Sequence, residues 1–181
     1  GPGASGAWAT MLVAEDVETQ ILASGFSLDR KSGYLLPGVE HTFRMVIDEP
    51  NGIATLDGID VMLCDDGPTG LGKMFWNPAE QILSTPDDSY VHLIDASATP
   101  LESNSILSVE FRFILDWNYP WNIGDSDCSP RVRITDDLQV IAQSSLLTSL
   151  SWELDNMLEA VPTLTEDLTL PIGESDATGI Y

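Results

Sequence analysis

The most regular pattern in the chain is "SILSVEFRFILDW", where Leu107, Val109, Phe111, Phe113, Leu115 and Trp117 alternate with Ser108, Glu110, Arg112, Ile114 and Asp116. Successive side chains of a β-strand point to opposite faces, so the alternation predicts a long strand with one face in a core, Trp117 included. "HTFRMVID" repeats it, with Phe43, Met45 and Ile47 on one face and Thr42, Arg44 and Val46 on the other. "GIDVMLC" places Ile59, Val61 and Leu63 together, and "SYVHLID" and "RVRIT" complete the set. Segments dense in Gly, Pro, Asp and Asn separate these runs, among them "DEPNGI", "STPDDS" and "NYPWNIGDSDCSP", and their residues suit turns. Short strands so punctuated predict an all-β fold, an antiparallel β-sandwich of two sheets around one core. Helix is confined to short turns, with "PAEQIL" and "WELDNMLEA" as the candidates.

The ends are less regular. Phe26-Ser27-Leu28-Asp29 and Trp152-Glu153-Leu154-Asp155 share an aromatic, polar, Leu, Asp order that reads as a weak repeat. The expected organisation is a sandwich core over 34–142. Residues 1–33 form an N-terminal strand segment, the end of a preceding module or an assembly strand. Residues 143–181 form a C-terminal strand segment or the start of a following module.

The 181 residues suffice for one ordinary domain, and 43% hydrophobic content gives it a core. Charge narrows the partners. Asp and Glu total 29 against 7 Lys and Arg, a formal net charge of -22. Such a surface repels phosphate backbones and anionic lipid, so nucleic acid is not an expected partner. No apolar run reaches the roughly 18 residues of a membrane span, so no membrane insertion is expected. The chain starts at Gly1-Pro2-Gly3, which suits a processed chain or a piece of a longer one, and the missing signal peptide says little about compartment.

"GPTGLGKM" at 67–74 matches G-x-x-x-x-G-K. A phosphate-binding loop needs a Ser or Thr after the lysine for magnesium and a helix beyond it. Met74 stands at the hydroxyl position, and Pro78 would break the helix. The expectation is a glycine-rich turn between strands, with Lys73 as a surface cation and no nucleotide bound. His41 and His92 lie in no catalytic motif, and no enzyme activity is expected.

Calcium is the better chemical candidate, because hard oxygen ligands on loops at one end of a sandwich can converge on it. The candidate ligands are Asp65, Asp66, Asp125, Asp127, Asp136 and Asp137; Asp125-x-Asp127 has a spacing that lets two carboxylates share one ion. The bland alternative is a solvated acidic surface. Two aromatic clusters, "MFWNP" and "DWNYPWN", supply Trp76, Trp117, Tyr119 and Trp121 as candidate ligand-binding rings able to stack on sugars or anchor an interface.

Cys64 and Cys128 are the only cysteines, too few for a disulfide scaffold or an all-cysteine zinc site, and whether they pair is left open. The order Cys64, Trp76, Cys128 resembles the Cys, Trp, Cys pattern of immunoglobulin domains, although Ser126 stands where that family has its corner tyrosine. At "YLLPGVEHTFRMVI", "LDGIDVML", "SVEFRFILDW" and "RVRITDD" the chain resembles the immunoglobulin-like β-sandwich modules of large archaeal and bacterial surface proteins, over roughly 34–140. The resemblance implies a tandem structural or adhesive unit that is extracellular or on the cell surface, with neighbouring modules, subunits or surface glycans as partners. Two alternatives stand beside it. One is a carbohydrate-binding module using the loop aromatics. The other is a surface filament or layer subunit that donates "AWATMLVA" to a neighbour's sheet edge.

Overall fold

The computed structural model describes residues 17–64, 71–120, 128–136 and 141–155. In chain order the strands are β1 (Gln20–Leu28), β2 (Tyr34–Leu35), β3 (Glu40–Asp48), β4 (Leu56–Met62), β5 (Lys73–Asn77), β6 (Ile82–Ser84), β7 (Val91–Pro100), β8 (Ile106–Leu115), β9 (Arg131–Asp136), β10 (Ile141–Leu146) and β11 (Glu153–Leu154). Among the described residues the only helical pieces are two single 3-10 turns, Ile53–Thr55 and Thr148–Leu150. The strands build a four-stranded sheet ordered β1-β3-β8-β7 and a five-stranded sheet ordered β10-β9-β4-β5-β6, both antiparallel throughout; β2 and β11 form a small parallel pair.

Period-two patterning decides which side faces in. On β8, Leu107, Val109, Phe111, Phe113 and Leu115 are buried, and on β3 Phe43, Met45 and Ile47 are fully buried opposite them, with Phe43 paired to Phe111 and Met45 to Val109. The five-stranded sheet answers with Ile59 and Val61 on β4, Met74 and Trp76 on β5, and Val132 and Ile134 on β9. The sheets meet where the edge of Trp76 packs on Phe111, ring centroids 6.4 Å apart at 83°. Burying each large apolar side chain is worth about 1.5–3 kcal/mol, and the edge-to-face contact about 0.5–1.5 kcal/mol more.

Every strand expected from the alternation is present, and the differences lie at the ends. The "PAEQIL" stretch is a turn leading into β6, so β5 and β6 form a hairpin: the Asn77 side chain accepts a hydrogen bond from the Glu80 backbone at 2.9 Å and closes that turn in place of a helix. Trp152, Glu153 and Leu154 are extended, paired to Cys128 and β2. β1 is paired along β3, and β10 runs across residue 142 in pairing with β9. The second copy of the short aromatic-polar-Leu-Asp pattern docks on this same sandwich, with Asp155 donating its backbone N–H to Leu35.

Lys73 opens β5, which runs antiparallel to β4, so the lysine of the glycine-rich motif leads into a strand where a phosphate-binding loop needs a helix. Gly72, with φ of +69°, makes the turn that a side-chain-bearing residue adopts only with strain. Lys73 is not a free surface cation: its ammonium lies 3.0 Å from the carboxylate of Asp60 on the neighbouring strand.

Candidate functional site

The best-defined constellation sits where β4 ends and β9 begins. Cys64 and Cys128 form a disulfide with Cα atoms 4.7 Å apart. Trp152 locks both sides of it: its backbone exchanges hydrogen bonds with Cys128 at 2.8 and 3.0 Å, and its indole donates to the carbonyl of Leu63 at 2.7 Å. Tyr119 packs edge-on against Trp152, centroids 5.8 Å apart. The indole beside this disulfide therefore comes from Trp152, beyond the second cysteine. Trp76 packs on Phe111 instead. Arg30 reaches over from the β1–β2 turn and donates to the carbonyls of Ser149 and Ser151, fixing the segment that delivers Trp152. Both cysteine sulfurs are consumed in the cross-link.

Of the candidate calcium ligands, Asp65, Asp66, Asp125, Asp127 and Asp137 lie outside the described residues. Asp136 ends β9, opposite Leu56 at the start of β4. Among the described residues no three His, Cys, Asp or Glu side chains group as metal ligands.

The aromatic candidates divide sharply. Trp76 and Tyr119 are each only 3% exposed and belong to the core, which withdraws them as stacking platforms. Trp121 lies outside the described residues. Trp117 is 61% exposed, with its indole against Gly38. The core face of β8 ends at Leu115 because the chain turns there, with Tyr119 donating its N–H to Asp116. Phe75, the other aromatic of the "MFWNP" cluster, occupies the outward position beside inward Trp76 on β5. Two adjacent aromatics in an alternating strand signal that one faces out, without saying which.

His41 is buried, its Nδ1 3.0 Å from the carbonyl of Asp29 and its Nε2 placed between the N–H and carbonyl of Leu36. Backbone groups thus occupy both ring nitrogens. His92 is exposed on β7.

The outer faces of the two sheets differ. On the four-stranded sheet Arg44 donates to Glu110 and Arg112 to Glu40, each at 2.7 Å, and Asp95 lies 3.8 Å from Arg112. The hydrogen bond from Arg112 holds the Glu40 carboxyl below its ordinary pKa, and Glu40 in turn raises that of Arg112. On the five-stranded sheet, an open groove of about 410 Å³ is lined by Asp57, Gly58, Phe75, Asn77, Glu80 and Thr135.

The sheet edges are β1, β7, β10 and β6. The first three carry a register shift in their pairing with the inner strand, and the last has only three residues. The candidate donor at 7–14 lies outside the described residues.

No protein-family model matches the chain, and no curated protein resembles it closely enough to count as a relative.

Proposed function

We infer that the chain is a non-catalytic structural or adhesive module of a protein on the outside of the cell, built as an immunoglobulin-like sandwich. The observation that carries this reading is the disulfide, because such cross-links form and persist in oxidising compartments and are rare in the cytosol. Strand connectivity supports the fold part: leaving out β2, sheet orders 1-3-8-7 and 10-9-4-5-6 follow the arrangement of variable-type immunoglobulin sandwiches. The disulfide departs from that pattern. It joins the end of β4 to the approach of β9 within one sheet, where the family joins two sheets.

The reading includes calcium as a stabilising ion on Asp65, Asp66, Asp125 and Asp127, all within three residues of the cross-linked cysteines in sequence.

Antibodies raised against the isolated chain should label intact source cells, and surface protease should remove the label. Labelling seen only after permeabilisation would overturn the extracellular assignment.

A further inference from the structure

We propose that the groove on the outer face of the five-stranded sheet is a binding site for a neutral sugar unit of a polysaccharide, with the ring of Phe75 as its platform. The floor is made by Gly58. A Cβ built there would lie 2.3 Å from Cε2 of Phe75, so only the missing side chain lets the phenyl ring lie across β4. The Phe75 ring is half-buried and lines the open groove, and the C–H face of a pyranose packs on aromatic surface of this kind.

Polar groups surround that platform. Asp57 stands at the register shift between Leu56 and Gly58, outside the regular ladder with β9. Glu80 comes from the opposite side, held in the β5–β6 turn by its N–H bond to Asn77. Thr135, opposite Gly58 on β9, adds a hydroxyl. Two carboxylates, an amide and a hydroxyl around an apolar ring match a polyol, whose paired hydroxyls donate to carboxylate oxygens while its ring stacks. The same carboxylates, in a chain of net charge -22, repel phosphate, sulfate and uronate ligands. Among the described residues the groove is lined by two acids, Asp57 and Glu80, and no cluster of three His, Cys, Asp or Glu side chains forms a metal site there. The volume falls in the range of ligand clefts, about 300–1,000 Å³, and the open shape suits a chain lying across the sheet.

This site goes beyond the module reading, and it is measured on the isolated chain, so its failure leaves the cell-surface test untouched. The experiment is affinity electrophoresis in native gels cast with soluble β-glucan, mannan or xylan, and with chitosan as a cationic comparison. Retardation is expected in at least one neutral gel. Phe75→Ala should weaken it at least tenfold, and Gly58→Ala, which displaces the ring but keeps every polar group, should weaken it in the same direction. Trp117→Ala, removing the exposed loop indole, should leave it unchanged. Circular dichroism checks that each variant is folded; Gly58→Ala carries the test should Phe75→Ala fail to fold. Three results would overturn the proposal: no retardation in any neutral gel, loss with Trp117→Ala but not with the groove variants, or binding to chitosan alone that disappears at high salt.

Discussion

Removing the disulfide is the perturbation whose size follows most directly from the structure. The bridge closes a loop across a sequence separation of 64 residues. In the chain-entropy account, a loop of that length restricts the unfolded chain by roughly 14 cal/mol/K, which is about 4 kcal/mol at 25 °C. The native state should tolerate the loss, because Trp152 keeps its two backbone bonds to Cys128 and its indole bond to Leu63, none of which involves sulfur. Cys64→Ala with Cys128→Ala is therefore expected to keep the fold and lose stability. For a domain of this size each kcal/mol moves Tm by about 2–4 °C, so the drop should be about 8–16 °C. The assay is calorimetric melting of the oxidised wild type beside the double variant, with mass spectrometry confirming the intact bridge in the former. A Tm within about 2 °C of the oxidised protein would refute the reasoning. It would mean that the unfolded chain gains no freedom when the loop opens.

Tyr119 buries its hydroxyl with no hydrogen-bond partner among the described residues, and burial raises its pKa above the ordinary value of 10.0. Tyr119→Phe should therefore gain about 1 kcal/mol in urea unfolding at neutral pH, and a comparable loss would reveal an unrecognised partner. The sign of the pH dependence follows: the folded state resists ionisation, so wild-type stability holds below the ordinary tyrosine pKa and declines as pH rises beyond it, a component that Tyr119→Phe removes. Glu40 shifts the other way. Its pairing with Arg112 contributes fully above the unfolded carboxyl pKa and is lost as pH falls through the depressed folded value. An NMR titration should show the Glu40 midpoint return to the ordinary range in Arg112→Gln; identical midpoints in the two proteins would remove the pairing as cause. Calcium at about one hundred times Kd should add about 2.7 kcal/mol and raise Tm by about 5–10 °C over a chelator-treated sample of equal ionic strength. A flat response would leave Asp65, Asp66, Asp125 and Asp127 as solvated carboxylates.

The sequence by itself determined the strands whose alternation is clean. In β3 and β8 inward and outward positions differ in polarity at nearly every step, and strand parity is a local property, so Phe43, Met45, Phe111 and Phe113 were legible as core. It also spoke against a phosphate-binding loop, because Met74 stands where a hydroxyl is needed and Pro78 where a helix would run. Tertiary structure decided matters in which two readings had equal local standing. In "MFWNP" both central residues are aromatic, and only the pairing of β5 with β4 turns Trp76 inward and Phe75 outward. Trp117 continues the inward parity of β8, yet it is exposed because the sheet stops at Leu115. Trp152 sits in a segment that reads as helix and becomes core through bonds to Cys128 and Leu63, both distant in sequence. The pairing of Cys64 with Cys128 is of the same kind. Alternation is written residue by residue, whereas a sheet's end, its neighbour and the partner of a cysteine depend on where remote strands come to lie.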